Sequence, residues 1–195
     1  MAEQKKVNDL DVEQLHGAID GMREEPESGK YQFRAHNEWV SGAHCRSSIN
    51  DFRAAGEEGT HEHAHVLEGD EPAGLLGTDC GPNATETLLH ALAACLNASF
   101  IYHAANQGIF VEELKIEVEG DIDLGGFLGI DEAIPSNFQQ IRVKFLVKAE
   151  ASEEKIRELC EYAQRRSPVF NSVTRPIPVD VSFESERVTA SAHAH

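Results

Sequence analysis

The order of helical and strand patterns in this 195-residue chain predicts an α+β fold. Three observations support the prediction. A long apolar helix pattern occupies the middle of the chain, strand patterns occur both before and after it, and the βαβ alternation of a doubly wound sheet is missing. The chain is 41% hydrophobic and 26% charged, which is the composition of a globular domain with a packed core.

The segment before the long helix reads as a short helix followed by strands. Residues 1–8 are expected to be a frayed tail. Asp11 caps an amphipathic helix that extends to Arg23, since Val12, Leu15 and Ile19 recur at helical spacing. Alternating apolar residues predict a strand at 31–40, and weaker alternation predicts strands at 43–52 and 60–69. The Gly-, Pro- and Asp-rich stretch 70–83 is predicted to be a loop.

The central helix is predicted over residues 84–107, a length of about 36 Å. Asn83 and Glu86 have the spacing of a capping box, and Gly108 is a typical stop. The helix is apolar on nearly every side, which is typical of a helix buried all round. One chain has only two or three helices with which to cover it, so we expect a homodimer to bury the rest.

The segment after the central helix completes the predicted fold. Strands are expected at 111–122 and 137–150, followed by a helix over 153–166 that Ser152 caps and that ends before Pro168. A last strand is predicted at 178–184. The domain organisation is therefore an N-terminal tail and helix at 1–30, one domain at 31–184 and a disordered tail at 185–195.

The charge balance limits the partners and the location of the protein. A formal net charge of −17 repels the phosphates of nucleic acids and of anionic membranes, so neither is expected as a partner. The N-terminus has no apolar signal region, and polar residues interrupt the longest apolar run. We expect a cytoplasmic protein that carries no cofactor.

Four cysteines are present and no two have C-x-x-C spacing, so a zinc knuckle is not predicted; they are Cys45, Cys80, Cys95 and Cys160. Cys95 lies about twelve residues into the central helix, too far from its N-terminus for the helix dipole to activate it. From the residues alone, an inert core thiol is favoured over a buried nucleophile.

The segment HEHAH is the one candidate metal site. His61, His63 and His65 share one face if the segment is a strand, and imidazoles bind zinc or nickel. No carboxylate or cysteine has the spacing to complete a tetrahedral site, so we do not predict a metal.

Two segments together resemble the OsmC/Ohr family of osmotically inducible and organic hydroperoxide resistance proteins. They are LLGTDCGPNATETLLHALAACLNAS, which contains Cys95, and AQRRSPVFNSVTRPIPVDV, about seventy residues later. The resemblance covers residues 31–184. It implies an intertwined homodimer whose antiparallel sheets wrap around two long central helices.

The resemblance also implies site residues. Active members use a peroxidatic cysteine, which matches Cys95, and a glutamate, which matches Glu86, although some branches place it where this chain has Thr85. A second cysteine, immediately before a proline, closes a disulfide in the family. Its match here is Ser167, which cannot form a disulfide.

A family arginine that helps to organise the site has no secure match. Arg34 and Arg46 in the early strands are candidates, as are Arg165 and Arg166 beside Ser167. Among the other thiols, Cys160 and Cys45 are expected to be structural, and Cys80 is the better reserve candidate for a resolving thiol.

Two functions remain open at this stage. The first is an organic hydroperoxide reductase in which Cys95 is oxidised to a sulfenic acid and an external thiol reduces it. The second is a catalytically inactive dimer that binds a small hydrophobic ligand in the same apolar pocket. Whether the chain is an enzyme is left undecided by the sequence.

Overall fold

The computed structural model describes residues 6–186, which form five helices and eight strands. Two 3₁₀ turns, Pro26–Gly29 and Ala73–Leu75, lie in the connections. In chain order the elements are β1 Lys6–Val7, β2 Leu10–Asp11, α1 Val12–Glu24, β3 Tyr31–Phe33, β4 His36–Ser41, β5 His44–Ala54, β6 Glu57–Gly69, α2 Ala84–Asn106, β7 Val111–Asp121, α3 Leu124–Phe127, β8 Gln140–Ala149, α4 Glu153–Arg166 and α5 Pro168–Thr174. The predicted α+β class is confirmed.

The first large sheet is antiparallel and is built around β5. One edge of β5 pairs with β6, and the other edge pairs with β4 and then with β3. The strand predicted at 31–40 is therefore two strands. Phe33 pairs with Phe52 and His36 pairs with Ser48, so the register shifts by one residue between them and the ladder has to break.

The second sheet is the antiparallel pair β7 and β8, in which the predicted alternation is confirmed. Ile116 pairs with Phe145, and Val118 pairs with Val143. Leu114, Phe145 and Val147 pack against the hydrophobic core. This sheet covers one side of α2, and α4 covers a neighbouring side.

Helix α2 begins with the predicted capping box. The Asn83 side chain accepts from the Glu86 N–H, and the Glu86 carboxylate accepts from the Asn83 N–H. One face of the helix is fully buried and forms the core with Leu159 and Ala163 of α4; its buried residues are Leu92, Leu96, Phe100, Ala104 and Ala105. The opposite face is open in the single chain.

By length and mean hydropathy, α2 alone among the helices of residues 6–186 could cross a membrane. It meets this test by length and composition only, because the polar residues that interrupt it do not lower the mean hydropathy enough. In the fold, α2 is a core helix: Phe100 and Ala104 pack with Leu159 of α4.

The predicted strand at 178–184 is wrong. Residues 176–186 have no regular secondary structure, and Val179, Val181 and Phe183 are 76%, 89% and 89% exposed. A strand forms only when a neighbour completes its hydrogen bonds, and the described part of this chain gives the segment no strand to pair with. The predicted tail 185–195 lies outside the described residues from 187 onward.

The N-terminal prediction is also corrected. Of the tail predicted at 1–8, residues 6–8 belong to the small β1–β2 hairpin, which extends to Asp11. Residues 1–5 lie outside the described part of the chain. The Asn8 side chain donates to the Ile109 carbonyl at 3.0 Å and accepts from the Val111 N–H at 2.8 Å. These two bonds join the hairpin to the segment between α2 and β7. A local sequence pattern could not predict them, because their partners lie about a hundred residues away.

The loop before α2 is built around the buried carboxylate of Asp70. It accepts hydrogen bonds from the Thr78 hydroxyl and from the backbone N–H groups of Glu71, Thr78 and Cys80. The Thr78 hydroxyl, followed by the backbone donors, holds the pKa of this carboxyl well below its usual range. The loop therefore has a fixed shape, which sets the position at which α2 begins.

We expect Phe100→Ala to lower the free energy of unfolding by about 3–5 kcal/mol, because it leaves a cavity in the core. Phe100 is 0% exposed. Phe127→Ala is the control, because Phe127 is 67% exposed and its loss should cost about 0.5 kcal/mol or less. Urea denaturation of both variants at one protein concentration measures the difference. Equal losses would show that this core does not hold the fold.

We expect Gly77→Ala to lower the free energy of unfolding by about 1–3 kcal/mol, since a Cβ at residue 77 would lie 1.7 Å from the Glu71 carbonyl oxygen. Gly74→Ala is the matched control in the same loop, where a Cβ meets nothing within 4 Å. The same urea titration distinguishes them. A Gly77 variant as stable as the Gly74 variant would contradict the fixed loop shape.

Candidate functional site

Cys95 and Ser167 lie in direct contact, although 72 residues separate them in the chain. The Ser167 hydroxyl donates to the Cys95 Sγ at an Oγ–Sγ distance of 3.0 Å. Ser167 is completely buried, and Cys95 is half-buried. The position that the resemblance assigns to a second thiol is therefore in place beside Cys95, with a hydroxyl in it.

The local sequence explains how Ser167 reaches this position. Its N–H donates to the Ala163 carbonyl and ends α4, while its Oγ accepts from the Phe170 N–H and caps α5. Pro168 occupies the first helical position of α5, where its missing N–H is not needed. The Asn171 side chain donates to the Ser167 carbonyl at 2.7 Å. Because these three hydrogen bonds fix the corner, the hydroxyl has little freedom to move away from Cys95.

A cavity of about 550 Å³ opens beside Cys95. Three helices and the α4–α5 corner line it. Its walls are mainly apolar, with polar groups at one end; the lining residues are Leu15, Ile19 and Arg23 of α1, Cys95, Ala98, Ser99, Tyr102, His103 and Asn106 of α2, and Tyr162 and Pro168. A small organic molecule with an apolar body fits the size and character of this cavity.

The polar end of the cavity is organised around Tyr162. His103 meets its ring edge-on, with 4.6 Å between ring centroids. The guanidinium groups of Arg165 and Arg166 lie over the ring, at 5.5 and 5.2 Å from its centroid. Burial, followed by the charge of Arg166, lowers the pKa of His103. His103 is therefore a neutral hydrogen-bonding group at neutral pH.

The structure separates the arginine candidates. Arg34 is bound by the carboxylates of Asp51 and Glu58, and Arg46 is bound by Glu68. Both therefore have structural partners within the first sheet, and neither lines the Cys95 cavity. Arg165 and Arg166 reach its edge only through the Tyr162 ring.

Arg23, which no sequence motif singled out, lines the cavity directly. It follows Leu15 and Ile19 at intervals of four residues, so all three lie on one face of α1. The apolar stripe of α1 already indicated that this helix packs on another element. That element is α2. Because Arg23 continues the stripe by one more turn, its spacing indicated that it also faces α2.

Glu86 is not brought to Cys95 within one chain. Nine residues along an α-helix correspond to about 13.5 Å and two and a half turns, so the two side chains leave α2 on opposite faces. Glu86 instead completes the capping box with Asn83. The Thr85 hydroxyl donates to the same Asn83 side chain, at 2.8 Å. The roles of these residues at the N-terminus of α2 are thus structural in the single chain.

The other three cysteines lie away from the cavity lining. Cys160 packs against the core, and burial raises the pKa of its thiol. Cys45 is half-buried in β5, opposite Gly69 of β6. Cys80 is exposed in the loop before α2, where desolvation, together with the Asp70 carboxylate, raises the pKa of its thiol. Raised pKa values leave less thiolate at neutral pH and so disfavour Cys80 and Cys160 as nucleophiles.

The HEHAH segment forms part of β6. The rings of His61 and His65 pack edge to face at 4.9 Å, and His61 also contacts Phe52. Within residues 6–186, no group of three or more histidine, cysteine or acidic side chains is placed to hold a metal ion. His61 and His65 therefore contribute packing to the sheet.

The chemical capacity of the site lies in Cys95 and its surroundings. A thiol faces a cavity of mainly apolar walls, and a buried hydroxyl donates to its sulfur. Such a sulfur can attack an electrophile that the cavity admits, and it can also simply form one wall of a ligand site.

Comparison with known proteins agrees with this picture. The sequence matches the family model of the OsmC-like protein over residues 77–182, which is more than half of the chain. No curated protein matches the sequence.

Solved structures show the same fold. An OsmC-like protein from Mycoplasma pneumoniae is 17% identical, with a TM-score of 0.55, over 73% of this chain and 87% of that one. An OsmC-like protein of unknown function from Vibrio cholerae is 12% identical, with a TM-score of 0.52, over 72% of this chain and 92% of that one. With the family model spanning α2, the α4–α5 corner and both residues of the Cys95–Ser167 contact, the chain belongs to the OsmC-like protein family.

Proposed function

We propose that this protein is a thiol-dependent organic hydroperoxide reductase in which Cys95 is the reacting residue. The observation that carries the proposal is the 3.0 Å contact between Ser167 Oγ and Cys95 Sγ, at the position of the family's second thiol. The Cys95 thiolate attacks the distal oxygen of the hydroperoxide and breaks the O–O bond. The sulfur becomes a sulfenic acid, and the alkoxide takes up a proton and leaves as an alcohol.

An external thiol completes the cycle, because Ser167 cannot form a disulfide. Its sulfur attacks the sulfenic acid of Cys95, water leaves, and a mixed disulfide forms. A second external thiol then attacks this disulfide, which restores the Cys95 thiol and releases an oxidised disulfide. The apolar walls of the cavity favour alkyl or aryl hydroperoxides over hydrogen peroxide.

We further propose that the working form is a homodimer. Large apolar side chains are exposed in the single chain, among them Phe33 and Trp39 at 75% each and Phe183 at 89%. Exposed apolar surface of this extent marks an interaction site. A Glu86 side chain can approach Cys95 only from a second copy, because the two side chains of one copy leave α2 on opposite faces. A cytosolic location, where small thiols are reduced, suits the external reductant.

The second candidate is a non-enzymatic binding protein for a small hydrophobic ligand. It is favoured by Ser167, whose hydroxyl occupies the place of the resolving thiol and bonds to the sulfur. The cavity and its apolar walls serve binding equally well. Native mass spectrometry that finds a retained small molecule on the dimer, with an unreactive Cys95, would select this function.

We expect one equivalent of cumene hydroperoxide to give a single dimedone adduct on the parent protein and none on Cys95→Ser, because dimedone traps the sulfenic acid. Intact mass measures the adduct. Cys160→Ser is the matched control, a second helical cysteine whose removal should leave the adduct in place. An adduct that persists in Cys95→Ser, or that is missing from the parent, would refute the proposed reductase.

We expect Ser167→Cys to restore an internal disulfide. The present Oγ–Sγ distance of 3.0 Å is within about 1 Å of an S–S bond. After one equivalent of cumene hydroperoxide, the intact mass should fall by two hydrogens, and dimedone should no longer trap Cys95. Ser99→Cys is the control, since it adds a thiol to the same cavity but on the same helix as Cys95.

The outcome of this pair of variants tests the geometry separately from the parent activity. A Ser167 variant that keeps a trappable sulfenic acid, or a Ser99 variant that closes a disulfide equally fast, would show that the α4–α5 corner does not hold the position of a resolving group.

A further inference from the structure

The charge of the Cys95 cavity is opposite in sign to that of the chain. The sequence holds 34 acidic residues against 17 lysines and arginines. Among the eleven lining residues that the structure describes, none is acidic and one, Arg23, is permanently cationic. An arginine that lines a mainly apolar cavity, in so acidic a chain, is a feature that an anionic group on an apolar ligand can use.

Arg23 is held by a weak partner only. Its guanidinium lies 2.7 Å from the Asp20 carboxylate, one turn earlier on α1, and the two side chains are 74% and 64% exposed. Exposed ion pairs of this kind contribute little free energy. A carboxylate of a ligand can therefore take the place of Asp20. Arg34, in contrast, is bound by two carboxylates and lies 30% exposed.

The polar end of the cavity supplies further cations and hydrogen-bond donors. Arg165 and Arg166 lie over the Tyr162 ring at its polar end. His103 is neutral at neutral pH and can donate through its ring N–H. The phenol of Tyr162 is a further donor. Two acidic groups face these cations: Asp20 pairs with Arg23, and Glu161 lies 3.8 Å from Arg165 on α4.

We infer that the cavity selects ligands with an apolar body and a carboxylate group, and that Arg23 is the residue that binds the carboxylate. The apolar body contacts Leu15, Ile19 and Ala98, which places it beside Cys95. Helix α1 lies outside residues 77–182, the part of the chain that the family model matches. This selectivity is thus a property of the N-terminal segment of this chain.

As a statement about substrates, the inference rests on the proposed function and names carboxylate-bearing organic hydroperoxides as the substrates. As a statement about binding, it is independent of that function, because an unreactive carboxylate can bind without any reaction at Cys95. The test is therefore a binding measurement with ligands that cannot oxidise the thiol.

The experiment is isothermal titration calorimetry of the full chain with para-isopropylbenzoate and with para-isopropylbenzyl alcohol, which share one apolar body. We expect the parent to bind the carboxylate about tenfold more tightly than the alcohol, because the carboxylate gains one charge-assisted hydrogen bond to Arg23. Arg23→Gln should lose this preference, and Arg23→Lys should keep part of it. Asp20→Asn should increase carboxylate affinity, because the competing carboxylate is removed.

Arg157→Gln is the matched control. Arg157 is an exposed helical arginine that pairs with Glu153 on α4, so the variant makes the same charge change away from the cavity. It should keep the full tenfold preference. Equal affinity of the parent for both ligands, no binding of either, or a preference retained in Arg23→Gln would each overturn the inference.

The two failures can be told apart. If dimedone finds no sulfenic acid on Cys95 but the carboxylate preference depends on Arg23, the proposed reductase fails and the binding inference holds. If Cys95 forms its sulfenic acid while both ligands bind equally, the reductase holds and the role of Arg23 fails.

Discussion

Ser167 joins three helices through a single buried residue, and the candidate site depends on it. Its backbone N–H ends α4, its Oγ caps α5, and its hydroxyl proton is donated to Cys95 on α2. Each bond uses a different atom or lone pair of the serine, so none has to be given up for another. Because Ser167 is 0% exposed, no water competes for these bonds. The distance between α2 and the α4–α5 corner is therefore fixed at the point where the chemistry would occur.

The local features of the fold were predictable from the sequence because local interactions set them. The capping box of α2 needs only Asn83 and Glu86, and the alternation of 140–149 needs only the pleat of one strand. Helix α5 was missed although Ser167 and Pro168 together form a helix-start signal. Its seven residues are too few to reveal a helical period, and the β-branched residues among them favour a strand instead.

The features that could not be predicted depend on partners distant in the chain. The strand predicted at 178–184 rested on the alternation of apolar and polar side chains. That alternation does not reveal whether a neighbouring strand is present to complete the hydrogen bonds. The resemblance predicted the pairing of Cys95 with position 167, but no pattern of spacing alone would place the two residues 3.0 Å apart. Arg23 was missed for the same reason: a helical stripe shows which face of α1 is covered, and it does not show that the surface opposite is a cavity.

The arrangement of charge separates structural arginines from the one that faces the cavity. Arg34 and Arg142 each bind two carboxylates on neighbouring strands of their own sheet, which leaves these arginines no free charge for a ligand. Arg23 has only Asp20, on its own helix and in solvent. In a chain of net charge −17, an arginine without a strong carboxylate partner is surrounded by potential competitors. It can still bind an anion because its ion pair with Asp20 is exposed and because it lines a cavity that has no acidic lining residue among those described. The same helix supplies the apolar wall that such a ligand would contact. The position of α1 over α2 therefore brings together three properties that a selective site needs: a sulfur to react, an apolar surface to bind and a cation to orient.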